Sequence, residues 1–158
     1  MSTLIAYGTK YGFTKKCAEM LAEKLGEKAD ICDLSSNRPD LAQYDKVIIG
    51  GSIYAGRIRK SAVRFCTENL NTLKSKKIGL FICGMADGEN ARKQLESSFP
   101  KELLSVAVAK ESFGGEYDFN KMNFLERFII RMISGSGKNQ SRVMEDNIAR
   151  FAEQMKNA

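Results

Sequence analysis

The chain contains no histidine. That absence removes Ser–His triads, Cys–His pairs and His-ligated zinc, so any reaction must lean on a cofactor. No metal ligand set is expected. Cysteine is sparse as well: Cys17, Cys32, Cys66 and Cys83 lie far apart with no C-x-x-C pair, and they read as small core residues in a reducing compartment. Long apolar runs are missing. Hydrophobic residues make up 43%, yet no run approaches the ~20 residues that a membrane span needs. Met1-Ser2-Thr3-Leu4 enters a strand with no basic-then-apolar leader, so a cytoplasmic chain is expected. No G-x-G-x-x-G follows any strand-like segment, which disfavours NAD as the resident cofactor. Gly135-Ser136-Gly137-Lys138 lacks the upstream glycine of a nucleotide-binding phosphate loop, because Met132 stands there.

What is present is length enough for one domain, residues 1–158, burying roughly 70% of the unfolded surface. The net charge of +6 favours an anionic partner. Its basic residues are scattered and no recognition motif accompanies them, so nucleic acid is not expected.

Strand and helix signals alternate throughout, the pattern of βαβ units, a parallel sheet and an α/β fold. Strands are expected at about 3–7, 29–34, 46–51, 77–83 and 104–110. Helices are expected after the first turn, ending near Gly26, and at 60–73, 90–99 and 141–156. The apolar core Val47-Ile48-Ile49 suits a strand covered on both faces. Met144, Ile148, Phe151 and Met155 form the inward stripe of the last helix.

Residues 5–21 organise the rest. They read as a buried strand, a polar turn and a helix start, where unpaired amides, the positive helix end and the hydroxyls of Thr9 and Thr14 suit a phosphate. Gly12 lets the backbone approach an anion. A plain helix turn capped by Thr uses the same residues. Two further strands end in small-residue loops. Gly50-Gly51-Ser52-Ile53-Tyr54-Ala55-Gly56 would let backbone approach a flat ring while Tyr54 offers a ring face; Cys83-Gly84-Met85-Ala86-Asp87-Gly88 lies beside it. In an open α/β sheet, ligands gather at such carboxyl ends near the switch in strand order.

Tyr7, Thr9, Gly12, Thr14, Ala18 and Leu21 resemble the phosphate-loop signature of the flavodoxins. The resemblance implies a doubly wound, five-stranded parallel sheet of order 2-1-3-4-5 that holds FMN. It places the phosphate at Thr9, Lys10, Tyr11, Gly12, Phe13 and Thr14. The ring would lie between Ser52, Ile53, Tyr54, Ala55 and Gly56 on one side and Cys83, Gly84, Met85, Ala86, Asp87 and Gly88 on the other.

About thirty extra residues separate the fifth strand from the last helix, an insertion spanning about 112–140. Within 120–134, Met122, Phe124, Leu125, Phe128, Ile129, Met132 and Ile133 form an apolar arc opposed by Asn120, Asn123, Glu126, Arg127, Arg131 and Ser134, with Lys121 and Ile130 on the wrong sides. Lys121, Arg127, Arg131 and Lys138 make the helix basic. Such a helix would lie on a membrane, cover a ligand, dock a partner, or pack on the body or on a second copy of the chain in a homodimer.

Phe113-Gly114-Gly115-Glu116-Tyr117, with Asn123-Phe124-Leu125-Glu126-Arg127-Phe128-Ile129-Ile130-Arg131-Met132-Ile133-Ser134-Gly135, resembles the long loop of the menaquinone-dependent protoporphyrinogen dehydrogenases, a flavodoxin-like branch. That resemblance implies an FMN-dependent oxidoreductase passing electrons from a reduced tetrapyrrole to a quinone. The chemistry would sit on FMN with no catalytic side chain. Arg57, Arg59 and Lys60 would meet substrate carboxylates, and Arg127 with Arg131 would meet lipid at the inner face of the cell membrane. The alternative is a non-enzymatic flavodoxin carrier docking a redox partner protein.

Overall fold

The computed structural model describes residues 2–134 and 139–158. Lys138 and the glycine-containing run at 135–138 lie outside the described residues. Strands β1 (Thr3–Gly8), β2 (Ala29–Asp33), β3 (Lys46–Tyr54), β4 (Arg57–Ile58), β5 (Lys77–Cys83) and β6 (Ala109–Ser112) form one sheet, and β7 (Gly114–Tyr117) pairs with β8 (Gln140–Val143) in a separate antiparallel ribbon. The helices are α1 (Phe13–Leu25), α2 (Lys60–Glu68), α3 (Leu70–Lys74), α4 (Gly88–Ser98), α5 (Lys101–Val106), α6 (Phe124–Ser134) and α7 (Glu145–Lys156).

The parallel order β2-β1-β3-β5-β6 is the expected 2-1-3-4-5 arrangement, with the two-residue β4 added antiparallel to β3. Every residue of β1 is buried, because alternate side chains feed two cores. Leu4 and Ala6 join Val47, Ile49, Leu80 and the inward faces of α2 to α5. Ile5 and Tyr7 join Ile48, Phe81 and the inward faces of α1 and α7. Helix α1 buries Cys17, Ala18, Leu21 and Leu25 and stops at Gly26, whose φ of 67° is the left-handed conformation of a C-terminal cap. The buried Lys46 donates from Nζ to Met155 O at 2.7 Å, placing a cation at the negative end of α7.

Several boundaries differ from expectation. The apolar run at 104–110 divides into α5 and the short β6, because Pro100 starts a helical turn that takes Leu103 inward. The helix at 60–73 breaks at Asn69 into α2 and α3. Residues 141–143 belong to β8, so α7 begins only at Glu145. The insertion is therefore a ribbon, β7 with β8, whose connection carries α6.

Gly50 and Gly51 lie inside β3, which runs on to Tyr54, and they serve the core rather than a ring. A Cβ on Gly50 would run into the Phe81 ring, and one on Gly51 would meet Ile58 at 2.6 Å. Gly79 likewise seats Phe151, 2.6 Å from where its Cβ would be. Phe81 stacks on Phe113 with centroids 4.4 Å apart, and Phe151 meets both edge-on. Gly50→Ala is expected to destabilise by about 1–3 kcal/mol through overpacking and Phe151→Ala by about 3–5 kcal/mol through a cavity. Denaturant midpoints should fall with unchanged slopes in both variants.

Candidate functional site

The first wall of the site is the turn between β1 and α1. Thr9 Oγ1 accepts from Gly12 N at 3.0 Å, which folds the turn on itself. Gly12 takes φ 95° at the N-cap and supplies no side chain, so amides of the first turn remain open to a ligand. Thr9, Lys10, Tyr11 and Phe13 line the resulting cavity. Gly12 and Thr14 do not reach its wall. Thr14 is fully buried behind it, and its hydroxyl makes no hydrogen bond.

The second wall is a hairpin. Ile53 pairs with Ile58 and Tyr54 with Arg57, leaving Ala55 and Gly56 as the two turn residues with φ of 51° and 80°. Two positive φ values define a type I′ turn, the form whose twist matches the flanking strands. Ala55 holds that conformation at a cost on the order of 1 kcal/mol, a strain of the kind found at ligand-binding loops. Ser52 to Gly56 all line the cavity, with Tyr54 6.5 Å from the Tyr11 ring and Lys10 Nζ 4.5 Å above the Tyr54 centroid.

Cys83, Gly84, Met85 and Ala86 make the third wall. Gly84 N donates to Gly114 O at 2.8 Å, and a Cβ on Gly115 would approach Gly84 C to 2.5 Å, so β7 lies directly against this loop. That contact carries Glu116 and Tyr117 into the cavity, while α4 adds Gln94. Sequence reasoning missed all three; the Gly114-Gly115 pair was the available signal of a close backbone approach. Ser52 Oγ, Gln94 Oε1 and Glu116 Oε2 are buried around the cavity and make no hydrogen bond, Glu116 Oε2 having only the Lys121 ammonium at 4.0 Å. Asp87 and Gly88 turn away to a neighbouring groove, where Asp87 pairs with Arg142 at 3.1 Å.

Met122, just ahead of helix α6, together with Ile130 and Ile133 of that helix, roofs the cavity. The orientation of α6 inverts the apolar arc: Phe124, Leu125, Phe128 and Met132 face outward at 55–87% exposure, and Ile130, on the wrong side of the wheel, is buried. The inward anchor is Glu126. Asn123 and Glu126 cap the helix reciprocally, Asn123 N to Glu126 Oε1 at 3.1 Å and Glu126 N to Asn123 Oδ1 at 2.8 Å. Tyr11 Oη then donates to Glu126 Oε2 at 2.6 Å, and Lys10 Nζ lies 2.7 Å from the same oxygen. Lys121 Nζ donates to Tyr11 O at 3.3 Å and lies 4.0 Å from Glu116. Hydrogen bonds from Lys10 and then Tyr11 hold the Glu126 carboxyl at about 2, while burial and then the bond to Glu126 push the Tyr11 phenol up.

Arg57, Arg59 and Lys60 do not line the cavity; they line an adjoining groove that shares Tyr54 and Gly56 with it. Arg127 is engaged in holding the roof, donating from Nε to Phe119 O at 2.7 Å. Arg131 is exposed on α6. No group of metal-ligating side chains exists among the described residues, and no helix among them is long and apolar enough to cross a membrane.

A family model described as flavodoxin domain matches residues 4–143. Protoporphyrinogen IX dehydrogenase [quinone] of Escherichia coli strain K12 is 25% identical over 142 residues, 84% of this chain and 78% of that protein. A Leishmania major protein of the same name is 26% identical over 82% of this chain, which spans only 61% of it. Oxidised flavodoxin 1 from Bacillus cereus superposes with a TM-score of 0.61 at 14% identity, covering 99% of this chain and 98% of its own, a likeness of fold.

The Glu126 latch has a pH signature. Its carboxyl titrates lower in the folded chain than the ~4.3 of a free glutamate, so its stabilisation is complete above that value and drains away as pH falls toward 2. Glu126→Gln should melt several degrees below the parent near neutral pH, with the gap closing between about pH 5 and pH 2.5. A gap that stays constant across that range would remove the latch.

Proposed function

Because the matched model spans most of its length, the chain belongs to the flavodoxin domain family, and we propose that it is a single-domain, FMN-binding oxidoreductase that takes electrons from a reduced tetrapyrrole and gives them to a quinone. FMN, when bound, supplies the capacity to accept two electrons and return them. Each turnover would remove two hydrogens from the tetrapyrrole and deliver two to the quinone.

The observation that carries this reading is a cavity at the carboxyl ends of β1, β3 and β5 whose three walls answer to different parts of such a cofactor. Lys10 and the open amides after Gly12 suit a phosphate. Tyr54, fixed by its hairpin, suits a ring face. Ser52 Oγ, Gln94 Oε1 and Glu116 Oε2, which make no hydrogen bond, suit the polar edge of a heterocycle. Met122, Ile130 and Ile133 would keep water off the opposite side.

The quinone half rests on the name of the 25% identical relatives and on α6. An acceptor dissolved in a bilayer must be met at the bilayer surface. A helix over the cavity mouth that turns Phe124, Leu125, Phe128 and Met132 outward beside Arg131 is suited to that surface. The same face would dock a redox protein were the chain a carrier.

Purified protein supplied with FMN should turn yellow, and Tyr54→Ala should weaken retention by about tenfold, on the order of 1.4 kcal/mol. Anaerobic addition of protoporphyrinogen should bleach the bound flavin, and a menaquinone analogue should restore the colour. Flavin that tetrapyrrole leaves oxidised but a reductase protein reduces would replace the enzyme with a carrier.

A further inference from the structure

We propose that α6 is a gate over the cavity, latched by Glu126 on Lys10, and that a flavin enters by lifting it and taking that lysine for its phosphate. The inference rests on reading the cavity as a flavin site and adds how the chain controls entry to it.

The walls carry groups suited to a flavin, but the space they enclose measures about 130 Å³, under the ~300–1,000 Å³ of pockets that hold small molecules. The turn, hairpin and loop beneath are tied to paired strands, which leaves the insertion above them as the side able to yield.

What holds that side down is a group of the chain's own. Glu126 Oε2 accepts from Tyr11 Oη at 2.6 Å and meets Lys10 Nζ at 2.7 Å, and both partners belong to the turn that suits a phosphate. Lys10 is thereby committed to an internal carboxylate and serves a ligand anion in full only when Glu126 lets go. Helix α6 is otherwise lightly attached. Ile130 is the one fully buried residue among its described side chains, and Arg127 bonds to Phe119 O within the same insertion, so that bond travels with the helix. Lys121, ahead of α6, adds a longer bond of 3.3 Å to Tyr11 O.

Latch and ligand therefore compete, and what one gains the other gives up. A closed gate lowers the affinity of every flavin by the fraction of molecules that are open, whereas the phosphate of FMN recovers part of that loss at Lys10. Riboflavin has no phosphate and reads the gate alone.

The test titrates the full, flavin-free chain with FMN and with riboflavin, following the quenching of flavin fluorescence. Lys10→Gln removes a cation from the cavity wall but leaves the Asn123–Glu126 helix cap in place. It should nevertheless tighten riboflavin about tenfold, the gain expected where about one parent molecule in ten is open, and FMN should gain less. Tyr11→Phe, which deletes one bond to Glu126 and keeps the ring, should tighten both flavins by the same factor. With no flavin added, trypsin should cut after Arg127 and Arg131 faster in both variants than in the parent. Should Lys10→Gln fail to fold, Tyr11→Phe carries the same two readouts. With flavin bound by the parent, riboflavin affinity that is unchanged or weakened in the variants overturns the gate, as does cutting at the parent's rate. Faster cutting in a set of proteins that bind neither flavin keeps the latch and sinks the flavin reading. Tight binding of FMN by the parent, with riboflavin affinity and cutting unmoved by either substitution, does the reverse.

Discussion

The register of three parallel strands is the constraint on which the rest depends. Tyr7 and Gly8 of β1 lie beside Gly50 and Gly51 of β3, and Ser52 of β3 lies beside Cys83 of β5. The three chains therefore leave the sheet at one level, and the turn after β1, the hairpin after β3 and the loop after β5 open onto a common space. A slip of one residue in β3 would exchange its two buried faces and carry Tyr54 out of that space. Register is held from below. Gly50 fits only over the Phe81 ring and Gly79 only over Phe151, so each close seat fixes one strand against the next layer. Helix α7, which brings Phe151, is itself anchored by Lys46 at the opposite end of β3. The geometry of the cavity is thus decided largely by contacts deep in the core.

Much of this was legible in the chain. Alternating apolar strands and amphipathic helices carry the α/β order, and the polar turn at residues 9–12 announces an anion-binding helix start. What escaped reading depended on contacts between distant segments. Gly50 and Gly51 look like loop glycines because they precede Ser52, yet strand pairing continues to Tyr54 and their missing side chains are filled by Phe81 and Ile58. Gln94 and Glu116 belong to segments that sequence places well away from the first turn. They enter the cavity only because α4 follows the third loop and Gly115 lets β7 press against Gly84. Periodicity identifies a helix face but does not say which face meets the body, and at α6 that ambiguity had consequences.

On its own wheel α6 should turn Phe124, Leu125, Phe128 and Met132 inward, since burying each such side chain contributes about 1.5–3 kcal/mol. The orientation adopted gives that up and gains the Glu126 knot, whose charge-assisted hydrogen bonds contribute on the order of 1.5–3 kcal/mol each. The balance makes sense only from the surface beneath. What faces α6 is the mouth of the cavity, bordered by Lys10, Tyr11 and Glu116, with an apolar patch of Phe119, Met122 and Ile130 against Tyr54 and Tyr117. Four large hydrophobic side chains placed there would bury those polar groups without hydrogen-bond partners, a cost that offsets what burying the arc would contribute. In this orientation the body covers Ile130 and leaves Phe124, Leu125, Phe128 and Met132 exposed. Ile130, which closes the cavity, and the exposed Phe124, Leu125, Phe128 and Met132 lie on opposite faces of one helix, held in that rotation by Glu126 and Arg127. Whatever covers the outer face thereby acts on a roof tied directly to Lys10 of the anion-binding turn.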